Sequence, residues 1–393
     1  MKMELMKRMN GIKSTLQIDK CRVCGRVFFE EPLCRFQNMP AVAQYLPDAD
    51  SLKDDKGVDL EVYQCSVCGL VQLSNKPVHY YREVIRASGF SEEMKEFRLK
   101  QFDKFVKQYS LEGKKIIEIG CGRGEYLSVM SQCGVKAFGL EYSEDSAIEC
   151  KKNNLEVSKG FVEGEEYKID NAPFDAFFIL SFLEHLPDPN AILRGVYNNL
   201  SDDAVGIVEV PNFDMMLRKN LFSEFMRDHL FYFTKETLNI ILALNGFEII
   251  SCGEVWHGYI VSAVVRKRKK LDLSLFHQSQ EKINKEVAEY ISRFNIGKVA
   301  VWGAGHQSFA VLSLLGLGGK IRYVVDSAPF KQGKFAPSTH IPIVSPDKLS
   351  SDPVEAIIIM AGSYSDEVLR IVREKFDVKM DIAILRESGL EIK

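Results

Sequence analysis

The chain has 393 residues, 46% hydrophobic and 27% charged, the balance of a soluble globular protein with two or three domains. Its formal net charge of −3 excludes bulk attraction to nucleic acid or to an anionic membrane, leaving small molecules as the expected partners. No run approaches the roughly 20 apolar residues of a membrane span and no signal-peptide pattern is present, so a cytoplasmic location is expected.

The first feature along the chain is a pair of knuckles, Cys21-Arg22-Val23-Cys24-Gly25 and Cys65-Ser66-Val67-Cys68-Gly69. Two intervening residues let both thiolates reach one ion, and the glycine permits the tight turn in which amides face sulfur. Cys21, Cys24, Cys65 and Cys68 thus supply the four soft ligands of a closed, structural Zn2+ site. Reduced core cysteines or a redox pair are the plainer alternatives. Cys34, Cys121, Cys133, Cys150 and Cys252 are scattered and are expected to be buried or idle. Residues 1–90 are read as this small N-terminal zinc module.

A helix is predicted over Ser91–Ser110, where Met94, Phe97, Phe102 and Phe105 interleave with charged residues. Within residues 91–270, apolar runs at Lys115–Ile119, Lys136–Leu140, Phe174–Leu180 and Val205–Val210 alternate with helical patterns. That order predicts an α/β domain with a parallel sheet. The basic run Arg266–Lys270 is a solvated edge, and a helix over Leu273–Phe294 follows it. Residues 271–393 are read as a second, smaller Rossmann-like domain with strands at Lys298–Trp302, Ile321–Val325 and Ala356–Met360.

The sharpest motif is Lys115-Ile116-Ile117-Glu118-Ile119-Gly120-Cys121-Gly122-Arg123-Gly124, an apolar strand ending in an acid and a glycine turn before a helix over Glu125–Gln132. Glu118 is ill suited to phosphate but suits a cationic amino-acid ligand. The next strand ends in Glu141-Tyr142, where a carboxylate can accept from both ribose hydroxyls. A generic dinucleotide turn is the alternative. The whole pattern resembles the class I S-adenosylmethionine (SAM)-dependent methyltransferases. That resemblance implies a SAM site formed by Glu118, Gly120, Gly122, Gly124, Glu141, Tyr142, Phe161 and Ser181, with Phe161 or Val162 near adenine. The loop Ser181-Phe182-Leu183-Glu184-His185-Leu186-Pro187 is similar to the one that lies beside the transferred methyl in that family.

Methyl transfer needs an aligned nucleophile and often a base. His185 is one candidate, although it could instead only cap or position its loop. His229 is the other, with Asp228 as the carboxylate that tunes it, unless the pair is merely structural.

Zinc knuckles, a SAM domain and a second Rossmann-like domain follow the order of the sugar C-methyltransferases of deoxysugar pathways. The resemblance spans nearly the full chain. Val301-Trp302-Gly303-Ala304-Gly305-His306, Val325-Asp326 and Thr339-His340-Ile341-Pro342 carry it in the C-terminal part. It implies methylation of the carbon beside the ketone of a nucleotide-linked 4-keto-6-deoxy sugar, through an enolate raised by His229 or His185. Tyr80, Tyr81, Tyr232, His306 and Asp326 would be its substrate contacts. Met226 and Asp228 stand where that family has Tyr and Glu, and Tyr80-Tyr81 before Ser88-Gly89 only partly echo its tyrosine-rich segment. Oxygen or nitrogen methylation therefore stays open. So do an RNA or protein methyltransferase and a non-catalytic SAM- or nucleotide-binding regulator. For the C-terminal domain, with Ser308 at the third glycine position of a dinucleotide fingerprint, a sugar-nucleotide or vestigial site is favoured over NAD.

Overall fold

The computed structural model describes residues 18–44, 46–83, 90–376 and 379–393. The chain divides into two compact units, with the boundary between Lys269 and Lys270. Among the described residues no helix is long and apolar enough to cross a membrane.

The first unit opens with β1 (Cys34–Met39), β2 (Val58–Gln64) and β3 (Val71–Leu73), an antiparallel meander. Gly25 and Gly69 close the two knuckles at φ 69° and 74°, the left-handed region that glycine enters without a Cβ clash. Helix α1 (Glu92–Gln108) follows, with Ser91 accepting from the Met94 amide as N-cap.

Then come β4 (Lys115–Ile119), α2 (Glu125–Met130), β5 (Lys136–Glu141), α3 (Glu144–Lys152), β6 (Glu156–Lys159), β7 (Phe174–Leu180), α4 (Pro189–Asn198), β8 (Leu200–Pro211) and α5 (Phe213–Lys219). The unit ends with β9 (Phe231–Tyr232), α6 (Lys235–Leu244), β10 (Phe247–Val255) and β11 (Ile260–Lys267). Thr234 caps α6, its side chain accepting from the Thr237 amide.

Seven strands form one sheet in the order β10-β11-β8-β7-β4-β5-β6, parallel except for the pairings made by β11. Alternation puts Ile117, Ile119, Phe177 and Ile179 into the core on one face. Ile116, Ala176, Phe178 and Leu180 go to the other, so both faces are covered. Strand order reverses between β4 and β7, which opens the ligand-binding crevice of such sheets at their carboxyl ends.

Strand β9 leaves this sheet and pairs with β3, through Val71↔Tyr232 and Gln72↔Phe231. The knuckle-bearing segment therefore shares a sheet with residues far beyond position 90. Two residues are too few for a hydrophobic period, so the sequence gives no sign of this pairing.

The second unit contains α7 (Ser274–Ile291), β12 (Val299–Trp302), α8 (His306–Leu314), β13 (Val324–Val325), β14 (Ile343–Val344), α9 (Lys348–Ser351), β15 (Ala356–Ile359), α10 (Ser365–Lys375), β16 (Asp381–Arg386) and β17 (Gly389–Ile392). Its sheet runs β14-β13-β12-β15-β16-β17, parallel apart from the terminal hairpin. The strand expected over Ile321–Val325 contracts to Val324–Val325, because only those residues find partners in both β12 and β14.

Candidate active site and thiol cluster

The turn after β4 is built from glycines in the left-handed region: Gly120, Gly122 and Gly124 have φ of 72°, 57° and 85°. A Cβ on Gly124 would meet Leu155 Cδ1 at 2.4 Å, so the turn is locked against its neighbours. Glu118 is fully buried at the end of β4, and Glu141 is buried at the end of β5. The Glu141 carboxylate accepts from the Gly122 amide at 2.8 Å and from the Ser143 amide at 2.9 Å, tying the turn to the second strand end. These backbone and carboxylate positions, at the switch point of the sheet, fit the amino-acid and ribose parts of SAM.

Beside the turn, Gly120, Tyr142 and Phe161 line a narrow slot. The Arg82 guanidinium enters the same slot, 5.4 Å from the Tyr81 and Phe161 ring centres and 5.5 Å from that of Tyr142. Sequence reading missed Arg82, since one cation after two tyrosines carries no periodic signal.

Phe182 lines both that slot and a cavity of about 520 Å3. Tyr80, Tyr81, Ser181, His185, Asp228 and His229 all contribute to the cavity wall, joined by Tyr126, Glu184, Met226 and Trp256. The turn after β7 supplies Ser181 in a left-handed conformation (φ 51°) and carries His185 at its end. The segment before β9 supplies Asp228 and His229. The Leu230 amide donates to the Glu184 carbonyl at 2.8 Å and joins the two segments.

His185 and His229 lie edge to face with ring centres 4.8 Å apart. Burial lowers the pKa of His185, and burial together with the His185 ring holds His229 well below the ordinary imidazole value. Both shifts favour the neutral imidazole.

Asp228 does not tune His229 as expected. Its carboxylate accepts from the Tyr80 hydroxyl at 2.6 Å and the Ala43 amide at 3.2 Å. Among the described residues it makes no hydrogen bond to the His229 ring. Consecutive side chains leave this short segment in different directions, and Asp228 turns inward to partners that satisfy it. Burial and this hydrogen bond push Tyr80 up to about 12, so it stays a donor.

Tyr232 lies outside the cavity wall. Its hydroxyl accepts from the Met226 amide at 3.0 Å and donates to the Met226 carbonyl at 3.2 Å, and its ring packs between Phe213 and Phe225. His306 and Asp326 lie in the second unit, on a separate cavity of about 380 Å3. Asp326 there accepts from the Ala304 and Ala328 amides and from Lys331, which commits it to its own loop. Ser88 and Gly89 lie outside the described residues.

The four knuckle cysteines gather into one cluster, all four sulfurs within 4.8 Å of one another. Cys21 Sγ is 3.7 Å from Cys68 Sγ, and Cys24 Sγ is 3.4 Å from Cys65 Sγ. A tetrahedron with metal–sulfur bonds of about 2.3 Å has edges of about 3.8 Å, so the spacing fits zinc. Amides of Val23, Val67 and Cys68 and the Gln72 side chain point at these sulfurs, as a thiolate cluster needs.

Residues 90–252 match the model of a methyltransferase domain, and residues 267–381 match that of a C-methyltransferase C-terminal domain. The chain is similar to the C-methyltransferase NovU of Streptomyces niveus, at 26% identity across 90% of this chain and 91% of that protein. A shorter similarity, 32% identity across 22% of this chain, links it to a ubiquinone biosynthesis O-methyltransferase of Bordetella avium, of which it covers 37%. The glycine turn and its two strand-end carboxylates thus sit inside a recognised methyltransferase domain, and the chain is a SAM-dependent methyltransferase that also carries the C-methyltransferase C-terminal domain.

Proposed function

We propose that this enzyme methylates the carbon beside the ketone of a nucleotide-linked 4-keto-6-deoxy sugar. One observation carries the reading: two imidazoles, His185 and His229, stand 4.8 Å apart on the wall of a cavity at the carboxyl end of β7, and burial lowers the pKa of each. A carbon acid needs a base to expose its nucleophile, whereas a preformed anion needs none. The full-length similarity to NovU supports the same class of reaction.

SAM, when bound, supplies an electrophilic methyl group. Glu118 and the glycine turn would hold its amino-acid end, Glu141 its ribose, and Tyr142 with Phe161 its adenine. His229 would accept the proton from the carbon α to the ketone, at a ring nitrogen that burial keeps unprotonated. His185 donates its Nδ1–H to the Asp228 carbonyl at 2.9 Å, which fixes its ring beside His229. Tyr80 and Tyr81 would contact the sugar, and the apolar Met226 side chain would help exclude water. The four thiolates would hold a structural zinc ion away from this chemistry.

The test is incubation of purified protein with SAM and a panel of nucleotide-linked keto and amino sugars, reading product masses. A gain of one methyl on a keto sugar supports the reading. No gain on any sugar, with SAM binding intact, contradicts it.

A further inference from the structure

We propose that Glu184 is a positioning residue of the methyl-transfer site: as a neutral carboxylic acid it donates a hydrogen bond to Nε2 of His185, reserving His229 as the proton acceptor. The inference rests on the reading that His229 takes the substrate proton.

Glu184 sits on the turn Leu183–His185 directly after β7 and is 1% exposed. Its backbone carbonyl accepts from the Leu230 amide, which ties the turn to the segment before β9. Among the described residues its Oε2 has no hydrogen-bond partner, and its Oε1 lies 4.0 Å from His185 Nε2. A carboxylate without a cation in such a place is costly, and the group relieves the cost by keeping its proton. Burial raises it to about 8, in agreement with that state.

The complementary need lies on His185. A carbonyl can only accept, so the 2.9 Å contact with the Asp228 carbonyl places the hydrogen on Nδ1. The neutral ring therefore presents a lone pair at Nε2 and requires a donor there. The Glu184 acid stands 4.0 Å from that nitrogen and has to approach to about 3 Å to donate to it.

Other ionisable groups on the packed elements are committed elsewhere. Glu209 of β8 is held by Arg98 and Gln101, while Asp202 and Asp203 at the far end of β8 are exposed beside Lys267 and Lys269. Tyr232 of β9 is held by the Met226 backbone, and Asp228 by Tyr80 and Ala43. Among the described residues His229 faces the pair, and the Asp228 carboxylate also acts on His185 through space. With Glu184 capping Nε2, His185 stays uncharged, and the proton arriving on His229 meets no second imidazolium 4.8 Å away.

Two variants separate this role from a space-filling one. Glu184→Gln keeps a donor and cannot ionise, whereas Glu184→Ala removes the donor. Glu184→Ala should lower kcat roughly tenfold while SAM affinity and thermal stability stay near wild type, and Glu184→Gln should restore most of that rate. Wild-type kcat should fall as pH rises past about 8, where Glu184 loses its proton, and the Glu184→Gln rate should not fall there. Equal behaviour of both variants, or an alkaline limb unchanged in Glu184→Gln, overturns the proposal. A second bound divalent ion per chain, lost in Glu184→Gln, also overturns it, because the same three side chains would then be metal ligands.

Infrared difference spectra of wild type against Glu184→Gln report on the carboxyl without any substrate. A protonated-acid carbonyl band at neutral pH is expected, and its absence defeats the proposal even if the enzyme proves inactive on every keto sugar. Such inactivity would by itself count against the substrate reading alone.

Discussion

Nδ1 of His185, on the turn after β7, donates to the backbone carbonyl of Asp228, in the segment before β9, at 2.9 Å. That single bond sets the tautomer of His185 and fixes the separation of the two histidines. It also explains why Asp228 acts through its main chain here while its carboxylate serves Tyr80.

His229→Asn should lower turnover by roughly 10²–10⁴-fold with SAM affinity unchanged, since a positioned general base is worth about that much. Because burial and His185 hold the His229 pKa below its ordinary 6.5, the neutral base persists as pH falls. The acid limb of kcat/KM should therefore inflect below pH 6.5 in the wild type. An inflection above that value would remove His229 as the base.

Glu141→Ala should weaken SAM binding by roughly 1.5–3 kcal/mol, about ten- to 150-fold in Kd. The substitution deletes the proposed ribose acceptor and also the carboxylate that holds the Gly122 and Ser143 amides. Calorimetric titration with SAM checks it, and an unchanged Kd would place the ribose elsewhere.

Arg98 of α1 and Glu209 of β8 form an ion pair in which both side chains are fully buried, and Gln101 adds a 2.5 Å bond to the same carboxylate. Arg98→Met alone leaves Glu209 charged and uncompensated and should destabilise the protein by about 3–5 kcal/mol. The double variant Arg98→Met, Glu209→Met should recover much of that loss, because burying the pair has its own desolvation cost. Denaturant midpoints of the three proteins measure both effects.

Zinc analysis should find one ion per chain, and chelation should lower the thermal midpoint. Cys65→Ser should do the same by removing one of the four thiolates. Metal-free protein of unchanged stability would return the cysteines to an ordinary core role.

Much of the fold was legible because its signals are periodic or chemical. The apolar runs Lys115–Ile119 and Phe174–Leu180 are strands over those same residues, since burial on both faces leaves no polar alternation to blur their ends. The CxxCG repeat located the thiol cluster, because the spacing itself encodes the geometry. The cavity was harder to read. His185 and His229 were identifiable as histidines in loops, but their closeness depends on the Leu230–Glu184 and His185–Asp228 bonds, which join segments about 45 residues apart. The directions taken by Asp228 and Tyr232 hinge on local backbone turns that no spacing rule fixes. In the sequence Glu184 is one residue of the Ser181–Pro187 loop, and its burial with an unpartnered oxygen among the described residues singles it out.

The most direct test of carbon methylation uses a nucleotide-linked keto sugar deuterated at the carbon beside the ketone, incubated with SAM and analysed by mass and NMR. Carbon methylation gives a product that has gained one methyl on that carbon and lost the deuterium. A methylated product that retains the deuterium would contradict it and assign the methyl to oxygen or nitrogen.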